Sequence, residues 1–210
     1  MKPRVDYTLY LCTDRELMTT DTIAEAVELA IKGGVTIVQL REKDCTGRKF
    51  LETAHEVKEI TDAYEVPLII NDRLDIAMAV DADGVHLGQK DLPAATAREL
   101  LGPDKIIGVS AWNAELALRA QKDGADYIGA GDVFGTSTKA DTHHVSLQEL
   151  QKIKKTVKIP VVAIGGINME NIGKLKETGV DGAAVISAVL AARNITAAAE
   201  RLITLGSPKA

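Results

Sequence analysis

The sequence predicts a (β/α)8 barrel, and three observations predict it. Short apolar runs alternate with amphipathic stretches from one end of the chain to the other, which is the pattern of repeated βα units. Eight such runs can be counted, and eight units in 210 residues leave about 26 residues each, near the lower end of what this barrel needs. The first βα turn reads Thr13-Asp14-Arg15-Glu16, with no glycine-rich dinucleotide fingerprint, which weighs against the main alternative of a doubly wound open sheet.

The elements follow in order. The first strand is expected at residues 8–12. The first helix follows it, with Ile23, Ala26, Val27, Ala30 and Ile31 on one face, a Thr22/Glu25 capping box at its start and Gly33-Gly34 at its end. Further strands are expected at 36–40, 67–70, 84–87, 106–109, 127–130, 161–164 and 182–186. Asn113 and Asn168 are expected N-caps of helices ending at Gly124 and Gly179, and Ser146 with Glu149 repeats the capping box before Leu150, Ile153 and Val157. Gly34-Val35-Thr36, Gly124-Ala125-Asp126 and Gly179-Val180-Asp181 form an internal echo, each turning a helix into the next strand. No linker or charge block divides the chain, so residues 1–210 are expected to form one domain.

Composition narrows the function. Hydrophobic residues at 46% and charged residues at 26%, with mean hydropathy +0.01, supply a sizeable core and exclude global disorder. Aromatics are only 3%, so Val, Ile, Leu and Ala are expected to build that core. The net charge of −5 and pI near 5.4 argue against a generally basic nucleic-acid binder. Cys12 and Cys45 are too far apart for a CxxC motif, so neither a disulfide scaffold nor a zinc knuckle is supported, and a reducing cytoplasm fits best. Asp6 interrupts the N-terminal apolar stretch and Ser187 the run at 182–192, so no signal peptide or membrane span is expected.

In such barrels the active site lies at the C-terminal ends of the strands, and the residues there are polar in this chain. After the second strand, period-2 alternation puts Gln39, Arg41 and Lys43 on one face, suiting an anionic substrate; the alternative is that the cations are solvated or paired with Glu42. Asn71-Asp72-Arg73 follows the third strand and Gly88-Gln89-Lys90-Asp91 the fourth. Asp72 and Asp91 thus form a candidate pair for one Mg2+, with Asp72 as a mere helix cap the alternative. The stretch from Gly129 through Phe134 to Lys139, with Thr136, Ser137 and Thr138, supplies glycines, hydroxyls and a lysine for wrapping an oxyanion, or forms a surface lid. It is not a P-loop, because the GxxxxGK[ST] spacing is missing.

Gly165-Gly166-Ile167 and Ile186-Ser187 close the seventh and eighth strands, each expected to open a helix. This is the usual barrel phosphate position, where glycine admits the ligand to backbone N–H donors. The alternative is that the glycines serve only tight turns. His143-His144 lack a third ligand at a recognisable spacing and read as a solvated loop pair; His55 is expected on an exposed helix face and His86 as a satisfied core or rim residue. Trp112 either shelves an aromatic ring or covers the rim. No Ser-His-Asp or Cys-His arrangement is legible.

Taken together these residues resemble the thiamine-phosphate synthase family. The likeness runs from Val38-Gln39-Leu40-Arg41-Glu42-Lys43 through Ile70-Asn71-Asp72-Arg73, Gly84-Val85-His86-Leu87-Gly88-Gln89 with Asp91, Gly108-Val109-Ser110, the Thr136-Ser137-Thr138-Lys139 loop and Ala163-Ile164-Gly165-Gly166-Ile167 to Val185-Ile186-Ser187-Ala188. The resemblance implies a cytoplasmic barrel transferase joining hydroxymethylpyrimidine diphosphate to a thiazole phosphate, with release of diphosphate. It also implies that Gln39, Arg41, Lys43, Asn71 and Lys139 hold the pyrimidine diphosphate, with Mg2+ on Asp72 and Asp91. Ser110 would then lie near the leaving group and pyrimidine, and Thr136, Thr138, Gly166, Ile186 and Ser187 would receive the thiazole phosphate. Arg41, Lys43, Ser110 and Lys139 are the expected catalytic groups; the partners are small molecules, with monomer and homo-oligomer both open. The chain departs from the family pattern at Asp132 and Gly135, where proline is common, and at Trp112, where histidine is common. Rival readings are a thiazole tautomerase, for which Trp112 replaces the expected histidine, and a non-catalytic phosphate sensor, which would not need the carboxylate pair. Sugar-phosphate isomerases and aldolases share the Gly165-Gly166 site but generally require an acid, base or Schiff-base lysine inside the barrel, and no strand-centre lysine is visible.

Overall fold

The computed structural model describes residues 5–135 and 143–206. Its eight strands are β1 Leu9–Cys12, β2 Ile37–Leu40, β3 Leu68–Asn71, β4 Gly84–Leu87, β5 Ile106–Ser110, β6 Tyr127–Ala130, β7 Val161–Ile164 and β8 Gly182–Val185. All pair in parallel with their neighbours in sequence, and β8 closes on β1 through Leu9↔Ala183, Tyr10↔Ala184 and Leu11↔Val185. The expected barrel is therefore the observed one, with strand ends differing from expectation by a residue at several positions.

The helices are α1 Ile23–Lys32, α2 Gly47–Ala63, α3 Leu74–Ala79, α4 Ala94–Leu101, α5 Ala114–Lys122, α6 Leu147–Thr156, α7 Ser187–Leu190 and α8 Ile195–Gly206, with a 3-10 helix at Ile172–Thr178. Thr22, Asn113 and Ser146 cap as the sequence implies, accepting the N–H of Glu25, Leu116 and Glu149. Asn168 does not. Its Oδ1 accepts the Glu170 N–H at 2.9 Å, and Asn171 Oδ1 accepts the Asn168 N–H at 2.9 Å. The first bond is an Asx turn and the second reaches back along the loop; together they satisfy early donors and delay the helix, which forms only as the 3-10 segment beginning at Ile172.

The internal echo has a physical basis. Gly34, Gly124 and Gly179 all take positive φ, and the residue two further on ties the incoming strand to the start of an earlier one. Thr36 Oγ1 both accepts from Leu9 N and donates to Leu9 O at 3.1 Å, Asp126 Oδ2 accepts Ile107 N at 2.8 Å, and Asp181 Oδ2 accepts Val161 N at 2.7 Å.

Alternation along each strand divides the core in two. Leu9, Leu11, Val38 and Leu40 pack outward under the helices, whereas Tyr10, Cys12, Ile37, Ile69, Ile106, Tyr127, Val162 and Ala184 fill the barrel interior. Both layers are mainly aliphatic, as expected, but the interior also holds Tyr7, Tyr10 and Tyr127, and the outer layer Phe50. Gly108 makes room for them, since a Cβ there would stand 2.1 Å from Tyr127 Cζ. Among the described residues no helix is long and apolar enough to cross a membrane.

Candidate active site

A cavity of about 490 Å³ opens at the C-terminal mouth of the barrel, large enough for small organic ligands. Gln39, Arg41 and Lys43 all line it, so the alternation of β2 continues past the strand end. Thr13 holds that extension: its N–H donates to Gln39 O at 2.9 Å and its Oγ1 accepts the Arg41 N–H at 2.9 Å. Glu42 faces away and is taken by Arg15, whose Nε and Nη2 reach its Oε2 at 3.1 and 3.0 Å. The alternative in which Glu42 neutralises the neighbouring cations is thereby overturned. Arg41 instead stands 3.5 Å from Asp14 Oδ2, and Lys43 Nζ donates to Asp72 Oδ2 at 2.6 Å.

Asp72 is not a helix cap. Residue 73 occupies the cap position of α3 and makes no side-chain cap hydrogen bond. Asp72 adopts φ +62° while its N–H donates to His86 O at 2.9 Å, and this left-handed turn, tolerable for Asp, directs the carboxylate to the mouth. Asp91 arrives from the β4 loop, where its Oδ2 accepts the Gly88 N–H at 2.7 Å. The two carboxyl groups share a hydrogen bond and titrate as a pair. Burial and the bond to Asp72 push Asp91 up; burial also opposes ionisation of Asp72, but the bonds from Lys43 and Asp91 outweigh it and hold Asp72 below its ordinary value. Two apposed carboxyl groups of this kind are a donor set that a divalent cation fits, because the ion supplies the positive charge that relieves their mutual repulsion.

Asn71 and Ser110, at the ends of β3 and β5, also line the cavity. Ser110 Oγ lies 2.9 Å from His86 Nε2, whose Nδ1 is 2.8 Å from Tyr127 Oη. The line continues to Tyr10 Oη at 2.7 Å, which accepts from Gln39 Nε2 at 2.8 Å. His86 is thus the satisfied histidine expected of it, but its place in a line joining Gln39 to Ser110 was not legible in advance, nor were Tyr10 and Tyr127. The available signal was Tyr10 and Tyr127 at inward strand positions, with Gly108 beside Tyr127.

On the opposite side, Gly165 and Gly166 take φ +107° and +61°, and Ile186 and Ser187 complete the rim. A Cβ on Gly166 would meet Gly135 O at 2.1 Å, so glycine is needed for close backbone approach, not merely for a turn. Of these two, β8 leads directly into a helix, the four-residue α7; after β7 the Asn168 and Asn171 side-chain bonds intervene. Asp132 is buried beside Gly165, and its Oδ1 accepts the Gly135 N–H at 2.9 Å, so this carboxylate braces its own loop. Trp112 stacks on His143 with ring centroids 4.0 Å apart, both on the cavity wall. His55 and His144 are exposed, and among the described residues no group of three His, Cys, Asp or Glu could hold a metal. Thr136, Thr138 and Lys139, with Ser137, lie outside the described residues.

Fold and mouth together define a barrel enzyme of the kind whose mouth suits anionic ligands: cations and a carboxylate pair on one rim face a glycine-lined rim across a largely apolar interior that contains no strand lysine among the described residues. A family model described as thiamine monophosphate synthase matches residues 9–189, and the chain belongs to that family. It is 58% identical over 210 residues, all of both chains, to a thiamine-phosphate synthase of Ruminiclostridium cellulolyticum. It is 55% identical to the enzyme of that name from Clostridium beijerinckii, covering 96% of this chain and 97% of that one. Among solved structures, a thiamine phosphate pyrophosphorylase from Pyrococcus furiosus superposes with a TM-score of 0.88 at 44% identity over 95% of each chain.

Proposed function

We propose that the protein joins hydroxymethylpyrimidine diphosphate to a thiazole phosphate, giving thiamine phosphate and diphosphate. The observation that carries this reading is the division of the mouth. Arg41, Lys43 and the Asp72/Asp91 pair gather on one rim, and Gly165-Gly166 with Ser187 lie across the same cavity. A diphosphate and a monophosphate therefore have separate places, and the organic rings lie between them.

The chemistry asks little acid or base of the protein. The C–O bond to diphosphate breaks with its electron pair leaving on oxygen, the pyrimidine stabilises the resulting methylene cation, and the thiazole nitrogen donates its lone pair to form the C–N bond. Arg41 and Lys43 neutralise the departing charge in a protein of net charge −5. Asn71 and Gln39 orient the pyrimidine, and Lys139, Thr136 and Thr138 are assigned to the phosphates on the family's motif. Asp72 and Asp91 would hold one Mg2+, which when bound supplies further positive charge at the diphosphate. The tyrosine-floored cavity positions the reactants at the barrel mouth.

Cys12 and Cys45 form no disulfide, which supports a reducing, cytoplasmic setting. The test is diphosphate release by purified protein given the pyrimidine diphosphate, with and without thiazole phosphate and Mg2+. Release that needs both substrates and the metal is expected; no release under any condition would overturn the reading. Full activity of Asp72→Ala or Asp91→Ala protein with excess chelator would overturn the metal assignment.

A further inference from the structure

The hydrogen-bonded line beneath the cavity has a direction. Gln39 Nε2 is a donor only, so Tyr10 Oη accepts from it at 2.8 Å. Tyr10 is 1% exposed, and among the described residues the oxygen positioned to accept its own hydrogen is Tyr127 Oη at 2.7 Å. Were Tyr127 to donate to Tyr10 instead, Tyr10 would accept twice and bury its hydrogen without an acceptor, a loss of about 1–3 kcal/mol. Tyr127, 0% exposed, then has its single hydrogen left for His86 Nδ1 at 2.8 Å. A histidine that accepts at Nδ1 carries its proton on Nε2, and that proton goes to Ser110 Oγ at 2.9 Å. The Ser110 hydroxyl hydrogen is thereby left for the cavity that Ser110 lines. Burial pushes both phenols well above their ordinary range, so each keeps the one hydrogen this ordering uses.

We propose that Tyr10 and Tyr127 are positioning residues: they transmit the donor polarity of the Gln39 amide to His86, fix its Nε2–H tautomer, and make Ser110 a hydrogen-bond donor toward the substrate. The role of Ser110 rests on the proposed reading of the site, in which the ligand beside it is an anionic leaving group that needs donors. The reverse ordering would turn the Ser110 hydrogen into His86 and present lone pairs to that anion. The packing is built for the line: a Cβ on Gly129 would come within 2.9 Å of His86 Cε1, and one on Gly108 within 2.3 Å of Tyr127 Oη.

The test is 15N NMR of histidine-labelled protein, with the His86 resonance identified by its loss in His86→Gln. The Nε2–H tautomer is expected in the wild type without substrate. Tyr127→Phe, which removes the donor to Nδ1, should erode that tautomer and lower kcat about tenfold, the worth of one misdirected hydrogen bond, while KM for the thiazole phosphate stays within about twofold. Gln39→Glu, read at alkaline pH where an acceptor replaces the amide donor, should switch His86 to Nδ1–H. Should Tyr127→Phe fail to fold, the Gln39→Glu spectrum decides. An Nδ1–H tautomer in the wild type, or a tautomer unmoved in both variants, overturns the proposal. A tautomer that responds as described in a protein that releases no diphosphate upholds the relay and discards the substrate reading, so the two fail separately.

Discussion

Gly108→Ala is the sharpest single probe of the barrel interior. An ideal Cβ at this position stands 2.1 Å from Tyr127 Cζ, 2.3 Å from its Oη and 2.4 Å from its Cε1, where ordinary contact needs 3.4 Å or more. The ring is 0% exposed and tilted against both Tyr7 and Tyr10, with centroids 5.0 and 5.8 Å away, so any shift must disturb those contacts or push the ring toward the cavity it floors. Overpacking of this kind costs about 1–3 kcal/mol. Displacing the ring also breaks its hydrogen bonds to Tyr10 and His86, each worth about 1 kcal/mol. With both terms acting, melting should fall by roughly 10 °C, at about 2–4 °C per kcal/mol for a chain of this size. Turnover should fall too, because Ser110 lies two residues along the same strand and takes its bond from the disturbed histidine. The assay is a thermal melt with steady-state diphosphate release, repeated in the Gly108→Ala/Tyr127→Leu double variant. Removal of the ring relieves the clash, so the double variant should lose clearly less stability than the sum of the single losses. A Gly108→Ala protein melting within 2 °C of wild type, or strictly additive losses, would refute the account of a glycine kept for the tyrosine.

Other expectations follow from the mouth and the far end of the barrel. Asp91 in the metal-free protein holds its proton more tightly than the unfolded chain does, so its stabilising contribution is present below its ordinary value and lost as pH rises through the raised one. Mg2+ replaces that proton; its affinity by calorimetry, and the Tm gain it produces, should therefore grow with rising pH through and above the ordinary carboxylate range and then level. A pH-independent affinity would contradict the upward push that burial and Asp72 exert on the Asp91 carboxyl. Gly166→Val sets a Cβ 2.1 Å from Gly135 O at a backbone of φ +61°, and should raise KM for thiazole phosphate at least about tenfold by displacing the Gly165-Gly166 backbone from the proposed phosphate position; an unchanged KM would move the phosphate elsewhere. Arg98 donates to Gly102 O, Lys105 O, Gly124 O and Asp126 Oδ2 at 2.6–2.9 Å, near the starts of β5 and β6. Arg98→Met should cost about 2–3 kcal/mol by denaturant titration while leaving kcat intact, since the site is at the other end of the strands.

Much of this was legible because it rests on local rules. Thr22, Asn113 and Ser146 cap because short polar side chains at those positions satisfy helix donors whatever surrounds them. The convergence of Gln39, Arg41 and Lys43 follows from strand alternation alone. Asn168 misled because the same chemistry that caps a helix also closes an Asx turn, and Asn171 three residues on decided between them. The partner of Glu42 misled because Arg15 is distant in sequence and close only once β1 pairs with β2.

The sequence by itself determined the eight-unit barrel, the family and the rim on which polar residues gather, since periodicity, turn residues and ordered motifs are properties of short segments. Only the tertiary structure decided that Asp72 and Asp91 come into hydrogen-bond contact, that Asp132 braces its loop beside Gly165, and that Gln39, Tyr10, Tyr127, His86 and Ser110 form one line. Those five residues come from β2, β1, β6, β4 and β5, and their contacts exist only after the sheet has closed on itself. Closure brings each inward side chain against partners set by barrel register rather than by neighbours in the chain, which is why no local pattern encodes them.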